Sequence, residues 1–258
     1  MKLYFRYLKI NFKSELEYKW SFFLALISQI AIVFTSYFVI VSLFEKFGNI
    51  KGFTVYEILL TFSIIQFGFA FNEVFFRGID KFDHLIIQGG YDRLLIRPRN
   101  IFLQVLGSEF QFIKVSRMLQ AVVILVIALI NLDINWSLYK TIAILLMLFS
   151  SILIFLGIFI LGAAYCFFTI EGLEARNLFT YGGREMAEYP ISVFQRGFVL
   201  FFTFIIPFAF VNYYPLLYIT GRKANLWYAF SPLVVFLFLI PCICIFHFSS
   251  EHYLSVGS

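Results

Sequence analysis

TIAILLMLFSSILIFLGIFILGAAYCFF, Thr141 to Phe168, carries no charged residue in 28 positions. As a helix rising 1.5 Å per residue it would reach roughly 40 Å, more than the about 30 Å hydrocarbon core of a bilayer. Five further apolar runs lie on either side of it, at about 21–43, 54–76, 107–131, 197–213 and 228–248. The chain of 258 residues is 61% hydrophobic and 14% charged, where soluble domains are about 45–50% apolar and about 25% charged. One water-soluble core cannot hide that much Phe, Ile and Leu. The sequence therefore predicts an all-α membrane protein, a single transmembrane domain over 1–258 with six transmembrane helices. The third run has a weak start, because Glu109, Lys114 and Arg117 push its buried part toward 118–131. The fifth contains Pro207, which removes a backbone donor and bends or breaks a helix.

Residues 1–20 differ from these runs. Lys2, Arg6, Lys9, Lys13 and Lys19 alternate with Leu3, Tyr4, Phe5, Tyr7, Leu8, Ile10, Phe12, Leu16 and Trp20. A basic, aromatic, amphipathic segment of this kind lies in the membrane interface against anionic headgroups. It has no short apolar run with a small-residue cleavage site, so no cleavable signal peptide is expected. Lysine and arginine set the orientation. With a cytoplasmic N-terminus, the inside segments hold fifteen of these residues and the outside segments five. Both termini, the strip after the second span and the loop Glu171–Arg196 are then expected in the cytoplasm. The charges of that loop (Glu171, Glu174, Arg176, Arg184, Glu185 and Glu188) read as a solvated helix face.

Several chemistries are missing. There is no GxxxxGK[ST] phosphate loop, no HExxH, no GxSxG and no Cys/His metal pattern. Cys166, Cys242 and Cys244 sit in apolar runs and read as free thiols. The chain is expected to be no enzyme and to carry no metal or cofactor. The carboxylates Glu57, Glu73 and Glu109 fall at span ends, which argues against a buried proton relay. Gln29, Gln66 and Asn72 are the neutral polar residues at depth, and with Pro207, Asn212, Tyr213 and Tyr214 they are the candidates for lining a path. For each of the three amides a helix–helix hydrogen bond is the favoured reading over a substrate contact.

The densest polar stretch is FRGIDKFDHLIIQGGYDRLLIRPRN, Phe76 to Asn100. Phe82, Leu85 and Ile86 share a helical face. Gly89-Gly90 supplies a turn of positive φ. Asp92 is placed to cap a second short helix, Arg93 to Ile96, which Pro98 ends. A plain solvated loop requires no such corner, whereas a docking element for a soluble partner does.

GGYDRLLIRPRN (Gly89–Asn100) resembles the glycine, acid, Leu-Leu, proline signature after the second span of ABC-2 type permeases, the membrane subunits of bacterial ATP-binding-cassette exporters. IPFAFVNYYP (Ile206–Pro215), AFSPLVV (Ala229–Val235) and HYLSVGS (His252–Ser258) resemble one bacterial subgroup of them. The resemblance covers the whole chain. It implies an N-terminal elbow helix over 1–20 and a cytoplasmic coupling loop over 77–106. It also implies a second permease subunit, identical or different, facing this one across a translocation path. A cytoplasmic ATPase dimer would bind ATP and Mg on its own chains. The coupling helix maps within Phe82–Pro98. Phe82, Leu85 and Asp92 would shape it, Leu94, Leu95 and Ile96 would be its apolar anchor, and Arg93 and Arg97 would meet acidic groups or lipid phosphate. Arg99 would do the same or only anchor the chain to the membrane. The segment 212–227 is expected outside, as a re-entrant element or an aromatic belt. The expected cargo is a hydrophobic or amphipathic solute (a drug, lipid or peptide), and the expected location is the bacterial inner membrane, crossed several times. A secondary transporter or channel, and a scaffold that only recruits a cytoplasmic partner, remain alternatives.

Overall fold

The computed structural model describes residues 2–169 and 177–253. These residues are helical, with no β-strand among them. The amphipathic segment forms α1 (Lys2–Glu17) and packs across one end of the bundle. There the Tyr4 hydroxyl donates to the Phe75 carbonyl at 2.8 Å, and Glu15 Oε1 accepts from the Phe112 backbone N–H at 3.1 Å. This is the elbow end.

α2 (Lys19–Phe47) leads from it, and α3 (Val55–Phe75) returns. A corner of four short helices follows: α4 (Arg77–Asp80), α5 (Phe82–Ile87), α6 (Gly90–Leu95) and α7 (Ile101–Leu106). A 3-10 turn, Phe112–Lys114, opens into α8 (Val115–Asn131), and α9 (Leu138–Cys166) comes back. The third apolar run therefore becomes helical at Phe112 and not at 107. Residues 107–111 are held by the elbow, with Tyr7 stacked so tightly on Gly107 that a Cβ there would lie 2.5 Å from its ring.

α3 is the central helix. Of its most apolar window 83% is buried, against 11% for α2. A capping box at Thr54 and Glu57 starts it. Gly68 lets it close on α9, since a Cβ there would stand 2.3 Å from Ser151 Oγ. Close approach through small residues is the usual packing device between helices in lipid.

The fifth apolar run is broken at Pro207, as its proline predicts. α11 (Arg196–Phe204) is followed by a π-helical turn, Ala209–Tyr213, and α12 (Tyr214–Ile219), and the two halves are bent by 86° around Pro207. Both outer ends of this hairpin lie at the end opposite the elbow. Lys51 Nζ donates to the Ser192 and Val193 carbonyls at 2.9 and 3.1 Å, just before it. Arg222, just after it, donates to the Gly52 carbonyl and pairs with Glu57 at 2.7 Å. The hairpin thus enters and leaves at one end, and the nine residues of α11 reach only about 14 Å. The bent pair covers Arg196–Ile219 and so begins well before the 212–227 expected for an outer re-entrant element.

The run from the elbow end to the far end is made by the segment before it, which the sequence placed in a solvated loop. It comprises a π-helical turn Leu178–Gly182, α10 (Gly183–Ala187) and a 3-10 turn Ile191–Val193. Tyr181 touches Arg77 near the elbow end, Glu188 meets Thr61 and Gln66 halfway along α3, and Ser192 reaches Lys51. Glu171, Glu174 and Arg176 lie outside the described residues, as do Leu254–Ser258 of the C-terminal motif. α13 (Leu226–Phe230) runs through a 3-10 turn into α14 (Val234–Glu251), which closes the bundle against α9.

Candidate functional site: the elbow-end corner and the polar seam behind it

The corner from α4 to α7 has a buried root and an exposed edge. Phe82 is fully buried, with ring centroids 5.2 Å from Tyr91, 5.0 Å from Phe167 and 6.0 Å from Phe246. Ile86 and Leu94 are buried in the same cluster and Leu85 packs on it. Gly89 turns the chain with φ +61°. It is also the N-cap of α6, which begins at Gly90; Asp92 therefore sits inside the first turn and does not cap it. The expected apolar anchor is split: Leu94 is 9% exposed, Leu95 45% and Ile96 83%. Arg93, Arg97, Pro98 and Arg99 are exposed beside the last two. Asn100 accepts from the Leu103 N–H at 3.1 Å and starts α7. The surface thus presents Ile87, Leu95 and Ile96 among arginines, on a base held by aromatic packing.

Behind this corner lies a seam of buried charge. Glu73, at the end of α3, receives three cations: Arg117 at 2.9 Å, Lys114 at 3.6 Å and Arg77 at 3.7 Å. Arg77 also pairs with Asp80 and donates to the Tyr181 hydroxyl at 3.2 Å. Gln29 of α2 accepts from Lys114 at 3.2 Å and from Arg117 at 3.1 Å. One step further along the bundle, Glu188 takes the Gln66 amide at 2.8 Å and Arg184 at 3.4 Å. The Arg184 guanidinium stands 5.0 Å over the Phe69 ring. Buried charges require this kind of mutual pairing, since a lone ion in an apolar interior is prohibitively costly. On α1, outside the apolar spans, burial raises the Glu15 carboxyl above its ordinary range, and the bond from the Phe112 N–H only partly offsets this.

The residues expected to line a path are bonded within the chain. Gln29 and Gln66 belong to the seam, and Asn212 donates to the Ala187 carbonyl beside it. Asn72 lies apart: its amide donates to the Gly68 carbonyl of its own helix and, across to α9, to the Ile152 carbonyl, both at 2.8 Å. Tyr213 and Tyr214 stand toward the far end, against Phe53 and Tyr228. Pro207 marks the bend of the hairpin.

The reading from sequence missed Glu73, Arg77, Arg117, Arg184 and Glu188 as one group. One signal was present: Arg117 inside an apolar run demands a carboxylate partner, and Glu73 and Arg77 are one helical turn apart.

Compared with known families, residues 30–257 match the one described as ABC-2 family transporter protein. The chain belongs to that family. No curated protein and no solved structure matches it. Family membership and the apolar helices make it a multi-pass membrane component of an ABC transporter, a part that is not itself catalytic and that works with an ABC ATPase. In this family the six-span expectation meets five long apolar helices and one bent pair.

Proposed function

We propose that this chain is the permease subunit of a bacterial ABC exporter, with both termini and the corner α4–α7 in the cytoplasm of the inner membrane. The corner docks on a separate ATPase that binds ATP and Mg. The observation that carries the reading is the exposed ridge Ile87, Leu95 and Ile96, flanked by Arg93, Arg97 and Arg99 and seated on a fully packed root. Exposed apolar side chains rimmed by polar residues mark a protein interaction site, and arginine is among the residues that carry binding energy there. Two such permeases, identical or different, would face each other and pass a hydrophobic or amphipathic solute such as a drug, lipid or peptide. In this reading the segment 177–193 is the fifth crossing and the hairpin Arg196–Ile219 dips back from the outer face.

The test is co-purification with the partner ATPase after Leu95→Asp. The side chain is half-exposed, so the substituted protein inserts and folds; the complex and its stimulated ATP turnover are expected to be lost. An intact complex with Leu95→Asp and with Ile96→Asp sinks the docking assignment. Transport that persists with no ATPase present points instead to a secondary transporter.

A further inference from the structure

The corner that carries the exposed ridge is firm. All four residues of α4 are buried, and a Cβ at Gly78 would stand 2.0 Å from the Val105 carbonyl oxygen, so α4 lies hard against α7. α7 in turn packs on α6, which bears Leu95. A close-packed unit of this kind transmits a push and does not absorb it. α4 is set off from α3 by a bend at Phe76, with φ −123° and ψ 21°.

The segment 177–193 is built differently. Its helix begins with the π-helical turn Leu178–Gly182, carries Gly182-Gly183 at the joint with α10, and stops at Ala187. Pro190 and the 3-10 turn Ile191–Val193 follow. π turns and small-residue pairs are places where helices bend. Side chains pin the segment to α3: the Thr61 hydroxyl donates to the Glu188 carbonyl and the Gln66 amide to the Glu188 carboxylate, both at 2.8 Å.

Arg77 joins the firm corner to this jointed segment at the elbow end. Its guanidinium lies 3.7 Å from Glu73, pairs with Asp80 of α4 and donates to the Tyr181 hydroxyl at 3.2 Å. Tyr181 belongs to the π-helical turn itself. Its ring stands edge-on to Phe69 with centroids 5.4 Å apart, and the Arg184 guanidinium covers the same Phe69 at 5.0 Å. A displacement of α4 thus reaches the joint of the segment through a hydrogen bond from a charged donor, the stronger kind.

We propose that Tyr181 is a positioning residue for coupling: held by Arg77, it makes the segment 177–193 shift along α3 when the ATPase moves the corner. The inference rests on the docking role proposed for the corner, and adds which part of the bundle follows it and through which contact.

The full-length chain is purified with its ATPase, and hydrogen–deuterium exchange is followed by mass spectrometry with and without AMP-PNP and Mg. In the wild type the nucleotide should change exchange at the corner, over 87–96, and also across 178–193. The change across 178–193 is expected to be about fivefold or more in the wild type and below about twofold in Tyr181→Phe. Phenylalanine keeps the ring on Phe69 and deletes only the hydroxyl, and Arg77 retains Asp80 and Glu73. Assembly and the response of the corner should therefore persist, with Tm lower by no more than about 4 °C, the effect of one hydrogen bond. Thr61→Val deletes another hydroxyl that holds the segment, without touching Arg77, and should keep the response to nucleotide. The transmission is overturned if Tyr181→Phe keeps the wild-type change across 178–193, or if Thr61→Val loses it equally, because the hydroxyl is then only structural. It is also overturned if the wild-type corner responds and 178–193 does not. A wild-type corner that responds neither to the ATPase nor to nucleotide removes the docking role itself, and this inference with it.

Discussion

Replacing Glu73 by Gln tests the buried seam directly. The side chain is 1% exposed and its partner Arg117 is 7% exposed, with 2.9 Å between them. Glutamine keeps the shape and one acceptor but removes the charge that Arg117, Lys114 and Arg77 share. Arg77 keeps Asp80, so its loss is small. Arg117 and Lys114 keep neutral acceptors, the Gln29 oxygen and the substituted amide oxygen, and lose the carboxylate charge. Breaking a buried pair by deleting one partner typically costs about 3–5 kcal/mol, because an uncompensated charge stays behind. At about 2–4 °C per kcal/mol for a chain of this length, Glu73→Gln should lower Tm by about 6–20 °C. Fluorescence-detected unfolding in detergent measures it. The double variant Glu73→Gln/Arg117→Met removes the stranded cation as well and should recover about 1–2 kcal/mol. A Tm for Glu73→Gln within 2 °C of the wild type, or a double variant lower than the sum of its singles, would refute the reasoning.

Two smaller perturbations probe the elbow end. Gly89→Ala forces a Cβ into φ +61° where no atom lies within 4 Å; the cost is backbone strain alone, about 1 kcal/mol, and Gly89→Asn should recover most of it in the same unfolding assay. Glu15 has a folded-state pKa raised by burial, so the folded protein holds that proton more tightly than the unfolded chain does. Its contribution is most favourable below the ordinary carboxylate pKa of 4.5 and is lost as pH rises through the raised value. Glu15→Gln should therefore be at least as stable as the wild type at pH 7 and should flatten the fall in Tm between acid and neutral pH; a steeper fall in the variant would contradict the assignment.

Much of this architecture was legible because lipid imposes simple rules. Runs such as Thr141–Phe168 have one stable form in a bilayer, a helix, whatever their neighbours do. The amphipathic start, the Gly89 corner and the membrane class follow from residue type and spacing alone. The split of Leu94 from Leu95 and Ile96 was not legible, since the direction of a side chain on a one-turn helix depends on what packs beneath it, here Phe82 and Tyr91.

The largest difference lies in the segment 177–193, which its charges placed in a solvated loop and which packs along α3, and its reason is physical. Hydropathy reads a charged segment as solvated, because an isolated charge cannot enter an apolar interior. It cannot see that Glu188 will meet Arg184 and Gln66, or that Arg77 will reach Tyr181. Pairing over about 120 residues of sequence, as between Gln66 and Glu188, turns a loop-like segment into the polar centre of the bundle. It also leaves the more apolar run 197–213 to fold back as a bent hairpin. The sequence by itself determined which segments must avoid water. Only the tertiary structure decided which charges do so together, because their burial depends on partners that are distant in the chain.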